Sequence, residues 1–421
     1  MGTTYGFLLT APQAPSTYER RCCSAPETPG SPDYVEDILA MRFVHLTSLI
    51  VMLVLTTVAN PVSAQNATPV AAGTTTVASG LTNPRGFTWG PDGALYLALA
   101  GTGGETPGTI EGAEDGIYGG PTSSVVKIED GNAVPVIEGL PSGNWRDAGW
   151  IWGAHDVAFL DDQLYILSAG GGIDFGNPDE PTALLRVEAD GSTTMVADIG
   201  TWSAENLPAF VPPDFNPSGS FFDMEVGTDR IWLSEAVGGR IITVTPDGTI
   251  ALVADIFDGH LVPTGMALAP DGGVYVGFLT AIPYTDGTAK VIHVAEDGTV
   301  TDFWTGLTAV SDLEIGPDGM LYAVELATGN TMEPPFLTPN SGRIVRMTGP
   351  DSLEPVVTGL DAPAYIGFGP DGALYLTTPS YAPDAGAGHG ELLRVELPAA
   401  LSDSPSSLAY APSCAYSGNG C

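Results

Sequence analysis

Three aspartates and two glutamates stand at matched places in this chain. Asp156, Asp223 and Asp312 each precede a reverse turn by five residues, and Glu225 and Glu314 follow two residues after Asp223 and Asp312. Side chains two apart on a strand share a face. If those strands line one axis, five carboxylates meet there. Like charges at such range do not all ionise freely. Either some hold protons with raised, coupled pKa values, or a cation sits among them. Ligands made only of oxygen suit Ca²⁺ or Mg²⁺, with Asp156, Asp223 and Asp312 as the expected metal ligands. His155, Glu225 and Glu314 are the expected proton-handling groups. The alternative is carboxylates hydrated one by one in a wet channel.

A second group is aromatic. Trp145, Trp150, Trp152 and Trp202 fall in the longer insertions, near Arg146 and Asp147. Trp145, Trp150, Trp152 and His260 are the expected ligand contacts, a platform for a sugar-like or aromatic molecule. The competing reading is a small core that supports the insertions themselves. No nucleophile elbow, P-loop, dinucleotide fingerprint or zinc spacing occurs. The Gly-rich run Ala169-Gly170-Gly171-Gly172 has no strand-to-helix setting for phosphate.

The elements that must position these residues are repeats. Gly-Pro-Asp-Gly-x-Leu-Tyr occurs intact at Gly90–Tyr96, Gly316–Tyr322 and Gly369–Tyr375, with a variant at Ala269–Tyr275 and worn copies at Leu160–Tyr165 and Gly227–Trp232. Each copy reads as strand, Pro-Asp-Gly turn, strand, variable gap, third strand, Asp-Gly turn and fourth strand. Six such units predict an all-β protein, a six-bladed β-propeller of four-stranded antiparallel blades over residues 74–397. The last unit lacks its fourth strand, and Thr74–Leu81 reads as a spare one. The N-terminal strand is therefore expected to complete the last blade and close the ring. First strands line the channel. The insertions fall between second and third strands or between blades, so they share one face, where binding is expected.

Bulk composition narrows the partners. Fifty Asp plus Glu oppose 13 Lys plus Arg, for a formal net charge of −37. Such a surface repels nucleic acid and anionic lipid. Met41-Arg42, the apolar run Leu46–Ala59 and Val62-Ser63-Ala64 make a secretory signal over 41–64, with cleavage before Gln65. Residues 1–40 read as a leader or a mis-assigned start, 65–73 as a linker and 398–421 as a Pro/Ser-rich tail. The run is short for a membrane span. A secreted or cell-envelope monomer with no stable membrane insertion is expected, in a compartment where Cys414 and Cys421 can pair.

The stretches Gly80-Leu81-Thr82-Asn83-Pro84-Arg85-Gly86-Phe87, Gly153-Ala154-His155-Asp156-Val157-Ala158-Phe159, Val262-Pro263-Thr264-Gly265-Met266-Ala267-Leu268 and Thr280-Ala281-Ile282-Pro283-Tyr284 carry a family resemblance. Over roughly residues 74–396 the chain resembles the ScyD/ScyE family of exported propellers. That resemblance implies the propeller fold and, in some cyanobacteria, a link to pigment biosynthesis. The wider similarity is to NHL-repeat and lactonase-type six-bladed propellers. The latter implies a divalent cation held by acidic residues and Asn, yet neither polar column here contains Asn.

Two readings lead. In the first, the long-loop face binds an unknown small molecule or protein partner, with a cation in the channel. In the second, the protein is a metal-dependent hydrolase or lactonase of the six-bladed type, in which the metal polarises a carbonyl. A quinone-dependent sugar dehydrogenase comes third, because the mature chain has few Lys and Arg to meet a polycarboxylate cofactor.

Overall fold

The structure is a computed structural model, and it describes residues 73–109, 116–146, 149–256, 261–333, 336–381 and 388–397. The expected leader, signal peptide, most of the linker, the tail with Cys414 and Cys421, and His260 lie outside the described residues. Among the described residues, no helix is long and apolar enough to cross a membrane.

Six antiparallel sheets form the blades. Their inner strands are Pro84–Trp89, Ala154–Leu160, Phe221–Val226, Pro263–Leu268, Val310–Ile315 and Ile366–Phe368 in blades 1 to 6. Blade 6 is completed by Thr74–Leu81, which pairs with Gly390–Val395 in the register Thr74↔Val395 to Leu81↔Gly390. The expected closure by the N-terminal strand is observed.

The repeated motif has a physical reason at each position. In blade 5, Asp318 accepts hydrogen bonds from Met320 N (3.1 Å), the Tyr322 hydroxyl (3.1 Å) and Arg346 Nη1 (3.0 Å). Asp371 does the same with Ala373 N, Tyr375 and Arg394. Asp92 does so with Ala94 N, Tyr96 and Lys127. In blade 4, His293 replaces the Arg or Lys and lies 3.1 Å from Asp271. The turn Asp thus ties the hairpin to the third strand. The leading Gly makes room for the Tyr ring: a Cβ on Gly316 would lie 2.5 Å from Tyr322. The Gly after the Asp adopts a left-handed φ of 74° at Gly319, which side chains disfavour.

Blade 1 departs from the expected plan. Its third and fourth strands run on as a long ribbon, Ile117–Glu129 against Asn132–Trp145, and Trp150–Trp152 folds back onto the end of that ribbon. The segment expected as a loop between blades therefore carries Trp145, Trp150 and Trp152 on strands. Glycines permit this close packing. A Cβ on Gly119 would lie 2.3 Å from Phe175 O, and one on Gly143 would lie 2.8 Å from Phe175 Cβ. The insertion after blade 2 contains a short helix, Ile199–Glu205, which the turn-rich sequence did not announce. Asp198 caps it through Thr201 N. A buried pair anchors it to blade 3: Arg240 bonds Glu235, and both meet Ser203 Oγ. Trp202, expected beside the other tryptophans, instead faces the Arg240 guanidinium at 4.9 Å.

Candidate functional site

The inner strands bring Asp156, Asp223, Glu225, Asp312 and Glu314 around one channel cavity of about 250 Å³. Burial changes along these strands. Asp156, Asp223 and Asp312 are buried, Glu225 and Glu314 are half-buried, and Trp89, Phe159, Val226 and Phe368 form the half-exposed rim next to the Pro-Asp-Gly turns. The cavity therefore belongs to the tight-turn side of the ring. The sequence had pointed to the opposite face.

Most of these carboxylates join blades. Asp223 accepts Met266 N at 2.6 Å, and Asp312 accepts Ile366 N at 2.7 Å. Asp156 accepts Val157 N at 2.8 Å and also the Met224 N–H. Glu314 accepts the Phe368 N–H. In each inter-blade contact a carboxylate on one inner strand meets the main chain of a following blade. Where an inner strand carries Gly instead, the neighbouring aspartate fills the space. A Cβ on Gly86 would lie 1.8 Å from Asp156 Oδ1, and one on Gly265 would lie 2.2 Å from Asp312 Cα.

Burial raises the pKa of every carboxyl in the set. Asp156 and Asp223 are hydrogen-bonded to each other, so the pair holds a proton between them. Asp156 is pushed well up by burial and then by the Asp223 charge. Asp223 rises to about 6, because burial outweighs its backbone hydrogen bonds. Asp312 and Glu225 are raised by burial and then by Asp223. Glu314 reaches about 7 for the same reasons. Among the described residues, no three His, Cys, Asp or Glu side chains are grouped so as to hold a metal ion. Oxygens that already accept neighbouring main-chain N–H groups have fewer lone pairs left to offer Ca²⁺ or Mg²⁺.

An aromatic layer closes the other side of the channel. The Tyr365 hydroxyl donates to Phe222 O at 2.7 Å, and Phe222 stacks between Tyr365 and Tyr381 at 6.1 Å from each. Arg85 is fully buried beside them, its guanidinium 3.9 Å from the Tyr381 ring centre. Its Nη atoms donate to the carbonyl oxygens of Ser380, Ile151 (3.0 Å) and Pro84 (3.3 Å). Arg85 thereby links blade 1 to blade 6. In the sequence Arg85 had no role beyond its place in the stretch 80–87, although an Arg within an inner strand of an acid-rich chain was a usable signal.

Beyond that layer, on the long-loop face, lies an apolar pocket of about 170 Å³. Trp145, Trp150 and Trp152 line it together with His155, Phe222 and Tyr381. Trp150 packs 5.1 Å from Tyr381, and His155 lies 5.7 Å from Phe222. Burial, then the Arg85 charge, drives the His155 pKa down to about 3, so its imidazole is neutral. The structure thus separates the expected proton-handling residues. His155 joins the tryptophans, whereas Glu225 and Glu314 lie below the aromatic layer.

No family model and no curated protein matches the sequence. Solved structures share the fold. A protein from Thermus thermophilus assigned as an oxidoreductase (glucose dehydrogenase) is 17% identical with a TM-score of 0.50, over 77% of this chain and 99% of that one. A gluconolactonase from Xanthomonas campestris is 14% identical with a TM-score of 0.46, over 78% and 91%. A PQQ-bound aldose sugar dehydrogenase from Streptomyces coelicolor is 13% identical with a TM-score of 0.48, over 78% and 100%. At these identities the likeness is one of fold, the β-propeller.

Proposed function

We propose that this protein is an exported propeller that binds a small apolar molecule in the pocket on its long-loop face. One observation carries the reading: Trp145, Trp150, Trp152 and His155 meet the sequence-distant Phe222 and Tyr381 around an apolar cavity of about 170 Å³. An apolar cavity of about 150 Å³ takes a benzene-sized guest. The export signal in the sequence and the resemblance to the ScyD/ScyE family support placing this activity outside the cytoplasm. In the hydrolase reading, Glu225 or Glu314 would have to handle protons, because His155 lines the apolar pocket instead.

Toluene is the simplest probe. Ligand-observed NMR should detect saturable binding to the wild type. Ala236 is buried in the pocket wall, and Ala236→Leu should fill the space and abolish that binding. No saturable binding, or equal binding by the filled variant, would end the proposal. Dialysis against EDTA should leave both binding and melting temperature unchanged. A fall in both would favour the cation-dependent hydrolase.

A further inference from the structure

Neighbouring blades close on one another in a repeated way, and one junction stays open. At three junctions the Gly of an Asp-Gly turn sits on the outer strand of the preceding blade. A Cβ on Gly131, Gly248 or Gly298 would lie 3.2, 2.4 or 2.5 Å from the carbonyl oxygen of Val77, Val196 or Val253. Between blades 4 and 5, Thr305 instead donates to the next turn, through its N–H to Pro350 O (2.9 Å) and its hydroxyl to Asp351 (2.6 Å). The corresponding turn glycine of blade 2 is Gly191, and a Cβ there would meet nothing within 4 Å. A cleft of about 570 Å³ lies at this place, bordered by Gly191 of blade 2 and Val136 of blade 1.

The two walls differ in kind. Six consecutive residues, 136–141, border the cleft, so it follows the edge of the outer strand of blade 1 rather than one of its faces. Among the described residues no strand pairs with that edge here, because Trp150–Trp152 joins the ribbon only from Gly143 onward. The opposite wall is one face of blade 2, with Ala183 and Leu185 on its third strand and Thr193 and Met195 on its fourth. Leu185 and Met195 are cross-strand partners, and Met195 is 51% exposed. One end is closed, since a Cβ on Gly170 would lie 2.6 Å from Pro141 O. Glu138, Asp179 and Glu180 stand exposed on the border, and no Lys or Arg lines the cleft.

These features specify an occupant. An unpaired strand edge offers main-chain N–H and C=O groups, and an extended segment laid beside it takes them up. The facing Leu185 and Met195 match apolar side chains at alternate positions. The acidic border matches Lys or Arg and repels an acidic segment. Six strand residues span about 17 Å, the reach of a segment of about the same length. We propose that the cleft between blades 1 and 2 is a docking site for an extended, basic and alternately apolar segment of another protein, which adds a strand to the outer edge of blade 1. The cleft shares no lining residue with the long-loop pocket.

Random hexapeptides displayed on phage are the probe. They are selected on the full chain and counter-selected on Met195→Arg, which fills the cleft and sets a like charge against a basic segment. Enriched sequences should carry Lys or Arg together with apolar residues at alternate positions. The leading peptide, synthesised, should bind Met195→Arg about tenfold or more weakly than the wild type. Against Glu138→Gln the loss should be about threefold. N-methylation of the peptide's alternate amides should weaken it about fivefold or more in one of the two sets, as strand addition requires. Met195 and Glu138 are exposed, so circular dichroism should be the same for both variants and the wild type. Absence of enrichment over Met195→Arg, enriched sequences without Lys or Arg, or indifference to N-methylation would each overturn the proposal. So would a wild-type dimer in sedimentation velocity that Met195→Arg abolishes, because a second copy of this chain would then fill the cleft.

Discussion

The Tyr365 hydroxyl reaches the Phe222 carbonyl oxygen at 2.7 Å, from the start of blade 6 to the inner strand of blade 3. In a ring of six these blades face each other, so one side chain spans the channel. It separates an acidic cavity on one side from an apolar pocket on the other. Tyr365→Phe leaves a buried carbonyl without its donor, which should cost about 1–3 kcal/mol. A lower melting temperature with unchanged circular dichroism at room temperature is the expected result. No change would mean that the aromatic stack alone holds the partition.

The channel carboxyls set a pH dependence. Glu314 titrates near 4.5 when unperturbed and at about 7 in the fold. The folded chain therefore holds this proton longer than the unfolded chain. Stability is untouched by this group below both values and falls as pH rises through that window. Asp223, raised from 3.8 to about 6, acts in the same direction. Glu314→Gln should match the wild type in melting temperature near pH 4. It should exceed it by a few degrees at pH 8. A difference that does not vary with pH would contradict the raised value.

Gly265 meets the Asp312 main chain, and a Cβ there would lie 2.2 Å from Asp312 Cα. Backbone cannot swing aside as a side-chain tip can. Gly265→Ala should force blades 4 and 5 apart and destabilise by several kcal/mol, on the order of 3. Gly80 offers the control for space, since nothing lies within 4 Å of a Cβ built there, although its φ of 75° still strains the alanine. Chemical denaturation of the two variants should rank Gly265→Ala far below Gly80→Ala. Equal losses would show that the inner strands yield.

The repeated turn aspartates are alike in sequence and unequal in setting. Asp318 is buried, and Arg346, Tyr322 and a backbone N–H converge on it. Asp92 has the same partners in type, yet its side chain is 43% exposed. Asp318→Ala leaves the half-buried Arg346 with Glu354 alone at 3.3 Å and the Tyr322 hydroxyl and Met320 N–H without this acceptor, and should cost about 2 kcal/mol. Asp92→Ala should cost about 1 kcal/mol or less. Denaturant midpoints for the pair would check the ordering.

The legible part of the molecule was the part that repeats. Pro-Asp-Gly turns, the Tyr four residues after each Asp and the spare strand at Thr74–Leu81 specify local geometry, and six copies of it leave little freedom in the global plan. The convergence of the five carboxylates was legible too, since alternation along a strand and membership of the inner strands fix where they point. Their hydrogen bonds were not, because whether an aspartate faces a cation or a neighbouring N–H depends on the offset between blades. Offset is a property of packing that no single strand encodes. Nothing in the sequence sets Tyr365 and Phe222 apart from other aromatics, and only the ring diameter makes them meet. The ribbon bearing Trp145 and Trp150 was hidden because its glycines read as loop, although they were there to let Phe175 approach.

The strand at Thr74–Leu81 is translated before every other part of the ring and finds its partner, Gly390–Val395, only after the rest of the ring has been made. Until then the nascent chain carries an orphan β-edge at each end of an open crescent. Any chain stopped short of Gly390 keeps that edge permanently, in a form apt to recruit a stray strand from another molecule. Closure of the ring therefore waits on its last strand, and termination before Gly390 should yield aggregates rather than a smaller propeller.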